Sequence, residues 1–158
     1  GTLRYYVLLN GPAGRNVGGL GAKLSSGANM GRTLVARSRS SKDLGSGRMS
    51  IKRNYTISPS NNTGLNADLV FSYDDSLDEL NGIDEENLGL FKSIDGGETF
   101  TKIGGVLDAL SNTITISNTE SLIMSFFILD WSDFKYLYDL NFICLFTLLL
   151  SLQRNVKK

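Results

Sequence analysis

The chain has 158 residues but no histidine, a single cysteine, one tryptophan and two prolines. Without histidine it lacks the commonest general base near neutral pH, the commonest zinc ligand and the middle member of most nucleophilic triads. One cysteine, Cys144, excludes an intrachain disulfide. Cys144 stands in an apolar run with no base beside it in sequence, which is the setting of a buried spectator and not of a nucleophile. Phosphate-loop spacing is also missing. Gly14, Gly18, Gly19 and Gly21 precede Lys23, but Ala22 intervenes and Leu24 follows, so they read as strand-breaking glycines.

Net charge is zero, yet the signs are segregated. Residues 1–53 carry ten Lys or Arg and one acid, Asp43, whereas residues 54–139 carry fifteen acids and only Lys92, Lys102 and Lys135 as bases. The basic stretch 31–53 offers no aromatic ring before its end on which a base could stack, so nucleic acid is not an expected partner. The expectation is that the two halves compensate each other within one fold.

Seventeen glycines among many Ser, Thr and Asn residues indicate short strands and turns. Strand-like segments are residues 3–9, 22–24, 33–36, 51–57, 69–73, 88–93, 99–103, 113–117 and 121–129, with 38–50 as a long loop. Strands at this spacing, with no helical pattern between them, predict an all-β fold, an antiparallel β-sandwich over residues 1–129. Residues 130–158 form a separate hydrophobic tail with a basic end, Arg154, Lys157 and Lys158. As a helix, the stretch from 140 to 152 spans about 20 Å, short of a hydrocarbon core of roughly 30 Å. Three readings stay open for it: a membrane anchor or sorting tail, a helix packed on the sandwich, or translated sequence foreign to the domain. The chain begins at Gly1 and not at methionine, so it reads as part of a longer protein.

The most informative motif is Ser93-Ile94-Asp95-Gly96-Gly97-Glu98-Thr99-Phe100. Asp95 is suited to accept hydrogen bonds from turn amides, Gly96 and Gly97 to adopt positive φ, Ser93 and Thr99 to bond across the strand ends, and Phe100 to anchor the turn. The pattern resembles the Asp-box, a structural motif of sialidase-like propellers and many secreted β proteins. Only one copy is present, which counts against an Asp-box glycoside hydrolase.

Residues 74–86 are dense in carboxylates. Asp74, Ser76, Asp78 and Glu85 fall at offsets 1, 3, 5 and 12 of a calcium loop, which makes Asp74, Asp78 and Glu85 the candidate ligands. Glu79 occupies the offset where such a loop needs glycine, so a solvated connection is the stronger reading, and no cofactor is expected. A glycosidase carboxylate pair needs a fixed separation across a cleft, which neighbours on one loop rarely supply. Tyr5, Tyr6, Tyr55 and Tyr73 form a candidate sugar platform, although alternation makes most of them core positions. Asn54-Tyr55-Thr56 and Asn61-Asn62-Thr63 match the glycosylation sequon, a match too short to carry weight.

Several motifs occur in a fixed order: Ile51-Lys52-Arg53-Asn54-Tyr55-Thr56-Ile57-Ser58-Pro59, then Asn61-Asn62-Thr63-Gly64-Leu65-Asn66-Ala67-Asp68-Leu69-Val70-Phe71-Ser72-Tyr73, then Glu79-Leu80-Asn81-Gly82 and the Asp95 turn, ending at Thr113-Ile114-Thr115-Ile116. This string, over residues 14–117, resembles β-sandwich modules of large secreted proteins of Bacteroidetes-type bacteria, which often precede a type IX secretion sorting domain. The resemblance implies a non-enzymatic spacer, stalk or adhesion module, secreted or on the cell surface. Its expected partners are polysaccharide or other surface proteins, and a carbohydrate-binding module is the alternative. No catalytic residue carries over from the family.

Overall fold

In a computed structural model, residues 1–45, 47–122 and 124–130 are described, the last group by backbone alone. The tail from residue 131 on, with Cys144 and the stretch 142–150, lies outside the described residues. The described residues are mostly β, and all the strand pairs among them are antiparallel. Among the described residues no helix is long and apolar enough to cross a membrane.

One sheet contains β1 (Thr2–Asn10), β4 (Asn29–Ser38), β5 (Asn54–Pro59), β7 (Leu88–Ser93), β8 (Thr101–Gly104) and β11 (Met124–Asp130), in the order β1-β4-β5-β11-β7-β8. The other contains β2 (Arg15–Asn16), β3 (Ala22–Ser25), β6 (Ala67–Ser72), β9 (Val106–Asp108) and β10 (Thr113–Thr119), in the order β2-β3-β6-β10-β9. A single turn of helix, α1 (Leu77–Leu80), and short 3-10 turns at Val17–Gly19 and Glu85–Asn87 complete the described elements.

Side-chain alternation explains which face of each strand is buried. Along β6, Ala67, Leu69 and Phe71 point inward between more exposed neighbours. In β5, Tyr55 and Ile57 do the same. These residues join one apolar core with Val35 and Leu90 of the first sheet and Leu24 and Ile114 of the second. The rings of Tyr55 and Phe71 meet across it, 5.0 Å between centroids and tilted by 39°. Gly105, between β8 and β9, has φ 107°, and a Cβ there would lie 2.7 Å from Ile114, so only glycine fits where the chain passes from one sheet to the other.

β2 and β9 lie outside the segments that the sequence marks as strands, β8 and β11 start two and three residues later than expected, and β4 and β5 also depart from their pattern. The segment expected at 33–36 extends to the full length of β4, because pairing with β1 carries polar residues such as Arg32 along. The alternation beginning at Ile51 suggests a strand three residues too long at its start. The strand begins at Asn54, and the amide of Lys52 leaves the ladder to donate to Glu79 O at 2.8 Å.

Candidate functional site

Two loops concentrate the polar side chains singled out by sequence. The first is the turn joining β7 to β8. Ser93 Oγ, on a residue 2% exposed, donates to Asp95 Oδ1 at 2.7 Å and accepts from the Gly97 amide at 2.7 Å. The Asp95 carboxylate also accepts from the amides of Glu98 and Thr99, each at 3.0 Å, and from Thr99 Oγ1. Gly96 and Gly97 have φ of 82° and 100°, values that a side chain would oppose. Beneath the turn, Phe100 and Leu44 cover Phe91. The hydrogen bonds from Thr99, and then that from Ser93, hold the Asp95 carboxyl well below the usual carboxylate range.

That shift has a consequence for pH. A depressed carboxyl pKa contributes stability that is present above the unfolded value, about 3.9, and is lost as pH falls through the folded value. Asp95→Asn removes the charge and turns an N–H toward the Thr99 donors. The variant should melt at a lower temperature than the parent at pH 7, and the gap should shrink steadily below about pH 4. Thermal melts at pH 7 and pH 3 measure this, and a gap that stays constant with pH would exclude a role for the Asp95 charge.

The second loop runs from Asp74 to Asn81, and the structure reads it differently from the calcium pattern. Asp74 Oδ1 accepts from the Ser76 amide at 2.8 Å. Asp78, on an exposed side chain, pairs with Lys52 at 2.6 Å and Arg39 at 2.9 Å. Glu85 accepts the Tyr73 hydroxyl proton at 2.6 Å. Burial, and then this bond to Glu85, raises the Tyr73 pKa so that the phenol stays protonated. The three candidate ligands are therefore held by three different sets of protein donors. Among the described residues no group of three or more His, Cys, Asp or Glu side chains is placed to hold a metal ion.

Glu79, legible in the sequence only as the residue that breaks the calcium pattern, is the buried acid of this loop. It is 2% exposed, and its carboxylate takes two guanidinium N–H bonds from Arg53, each at 2.7 Å. Glu79 Oε1 also accepts the Asp74 amide at 2.8 Å, and Arg53 Nη1 donates to Ser72 O at 2.9 Å. The signal was present as Ser76-Leu77-Asp78-Glu79, the Ser-x-x-Glu pattern of a helix start. Ser76 Oγ indeed accepts from the Glu79 amide, at 3.4 Å, opening α1. The loop is thus a docked element. Arg39, Lys52 and Arg53 from the basic half meet Asp78 and Glu79 from the acidic half, and Asn81 Nδ2 donates to Ser50 O at 3.1 Å.

The aromatic candidates do not share a surface. Tyr55 and Tyr73 are buried, at 1% and 5% exposure. Tyr5 and Tyr6 are exposed but adjacent on β1, hence on opposite faces of the sheet. A shallow cleft of about 430 Å³ lies between Pro12, Ser26, Asn66 and Asp68, and two of its polar side chains are engaged locally. Ser26 Oγ donates to Leu65 O, and Asp68 accepts the Asn118 amide.

Comparison of the chain with models of protein families, with curated proteins and with solved structures finds no match.

Proposed function

We propose that this chain is a β-sandwich module with a non-enzymatic structural or adhesive role, carried by a bacterial protein that is secreted or held at the cell surface. One observation carries the reading: both oxygens of Asp95 are consumed by the turn that contains them. A carboxylate bonded in this way fastens a hairpin, which is the role the Asp-box-like pattern implies. Supporting it, the carboxylates of Asp74, Asp78 and Glu79 bind cations and amides of the same fold, and two antiparallel sheets share one core. The ordered motifs from Ile51 to Ile116 add the resemblance to secreted surface modules.

Purified protein should turn over none of a panel of glycoside and ester substrates. Hydrolysis that disappears on replacing an Asp or Glu within 74–86 would overturn the proposal. Protease treatment of intact source cells should release the module if it lies at the surface, and full protection in intact but not lysed cells would place it inside.

A further inference from the structure

A sheet edge is a row of unpaired N–H and C=O groups, and folded proteins usually blunt it with short strands, bulges, prolines or charges. Among the described strands, three of the four sheet edges follow that rule. β2 has two residues, β9 three and β8 four. The fourth edge, β1, does not. It runs for nine residues, contains no proline, carries one charged side chain, Arg4, and shifts register only at its end, between Leu9 and Asn10. Among the described strands it pairs with β4 alone. Leu3, Tyr5, Tyr6 and Leu8 are each at least half exposed, Leu8 at 79%.

The order of residues within the strand selects the occupant. Laid antiparallel on itself, the segment Thr2–Asn10 overlaps over its whole length in one register, with Tyr6 on the two-fold axis. In that register Leu3 faces the second copy's Leu9 and Tyr5 faces its Val7, so apolar residues meet on the core side, while on the other side Arg4 faces Leu8 and the lone cation never opposes itself. The faces also agree. Leu3, Tyr5, Val7 and Leu9 share the side of Val35, where Leu9 is buried and Val7 packs on the core. Arg4, Tyr6 and Leu8 share the other side, where the Arg32 guanidinium stacks 4.6 Å from the centre of the Tyr6 ring. A two-fold perpendicular to the sheet keeps both faces in common, so the core-side apolar row would continue from one molecule into the next.

We infer that β1 is a homodimerisation edge: two copies of this chain join β1 to β1 antiparallel, with Tyr6 at the centre, as one continuous sheet. A strand-edge contact of this length lies at the small end of specific interfaces, so association is expected at micromolar concentrations.

The test uses the full chain in analytical ultracentrifugation at micromolar concentrations. The parent should reversibly dimerise. Leu8→Lys sets a cation opposite Arg4 on both sides of the axis and should raise the dimer dissociation constant by about tenfold or more. Adding Arg4→Glu to that variant sets opposite charges face to face and should restore dimerisation, which a different register or a different surface would not do. Tyr6→Cys, combined with Cys144→Ser, should oxidise to a covalent dimer under native conditions. A monomeric parent, a dimer indifferent to Leu8→Lys, or no rescue by Arg4→Glu would each overturn the inference. So would an intrachain disulfide between residues 6 and 144 when Tyr6→Cys is made with Cys144 retained, since the tail would then occupy the edge.

Discussion

Glu79→Ala should destabilise the protein by about 3–5 kcal/mol, the loss typical of removing one partner from a buried ion pair. The Arg53 guanidinium, its side chain 15% exposed, would keep the Ser72 carbonyl but lose both carboxylate bonds. The Asp74 amide would lose its acceptor as well. The ion pair contributes less than this figure suggests, because folding has already desolvated both groups. A second variant separates the two quantities. Glu79→Leu combined with Arg53→Met removes both charges, leaves no orphaned ion, and should recover most of the lost stability. Chemical denaturation of the parent, the two single variants and the double variant measures the coupling. If Glu79→Leu alone matches the double variant, Arg53 does not depend on Glu79. Asp78→Asn is the control on the same loop: its pairs with Lys52 and Arg39 are exposed, so its unfolding midpoint should barely move, and any change should fade with added salt.

This loop also shows where sequence stops being informative. Its carboxylates are legible as a cluster, and at the level of spacing a cluster resembles a calcium loop. Their partners are remote: Arg53 and Lys52 lie 26 residues before Glu79 and Asp78, and Arg39 lies 39 residues before Asp78. Segregation of charge between the two halves of the chain hinted that they compensate each other, but only folding decides which acid meets which base. The buried acid was the least suspected one, Glu79, since as a ligand it merely stood where a calcium loop needs glycine.

Strands were easier to read because alternation is local. Phe71 and Leu69, or Ile114 and its threonine neighbours, announce a half-buried strand from a few residues. Failures came where backbone pairing overrides side-chain pattern. β4 runs through Asn29, Gly31 and Arg32 because β1 pairs along its whole length, with a single register shift that leaves Met30 without a partner. Ile51 is fully buried yet lies outside any strand, at the start of the segment that grips the acidic loop. The Asp95 turn was legible in detail, because every group that bonds to the carboxylate lies within four residues of it.

Tyr55→Ala should cost about 3–5 kcal/mol, whereas Tyr55→Phe should cost about 1 kcal/mol. The two substitutions divide the residue into ring and hydroxyl. The ring is 1% exposed, stacks against Phe71 and belongs to the core that both sheets share, so truncating it leaves a cavity bounded by well-packed neighbours. The hydroxyl lies 3.1 Å from Leu20 O and 2.9 Å from Ser72 O, and its one proton serves a single carbonyl at a time. Each of those carbonyls has a second donor: Arg37 bonds Leu20 O and Arg53 bonds Ser72 O. Removing the hydroxyl therefore orphans neither acceptor, and the cost stays near that of one exchanged hydrogen bond. Burial raises the Tyr55 pKa, so the phenol remains neutral, and the Phe variant should track the parent across alkaline pH as far as about pH 10. If Tyr55→Phe costs as much as Tyr55→Ala in denaturant melts, the arginines do not satisfy the two carbonyls, and the hydroxyl, not the ring, joins the sheets.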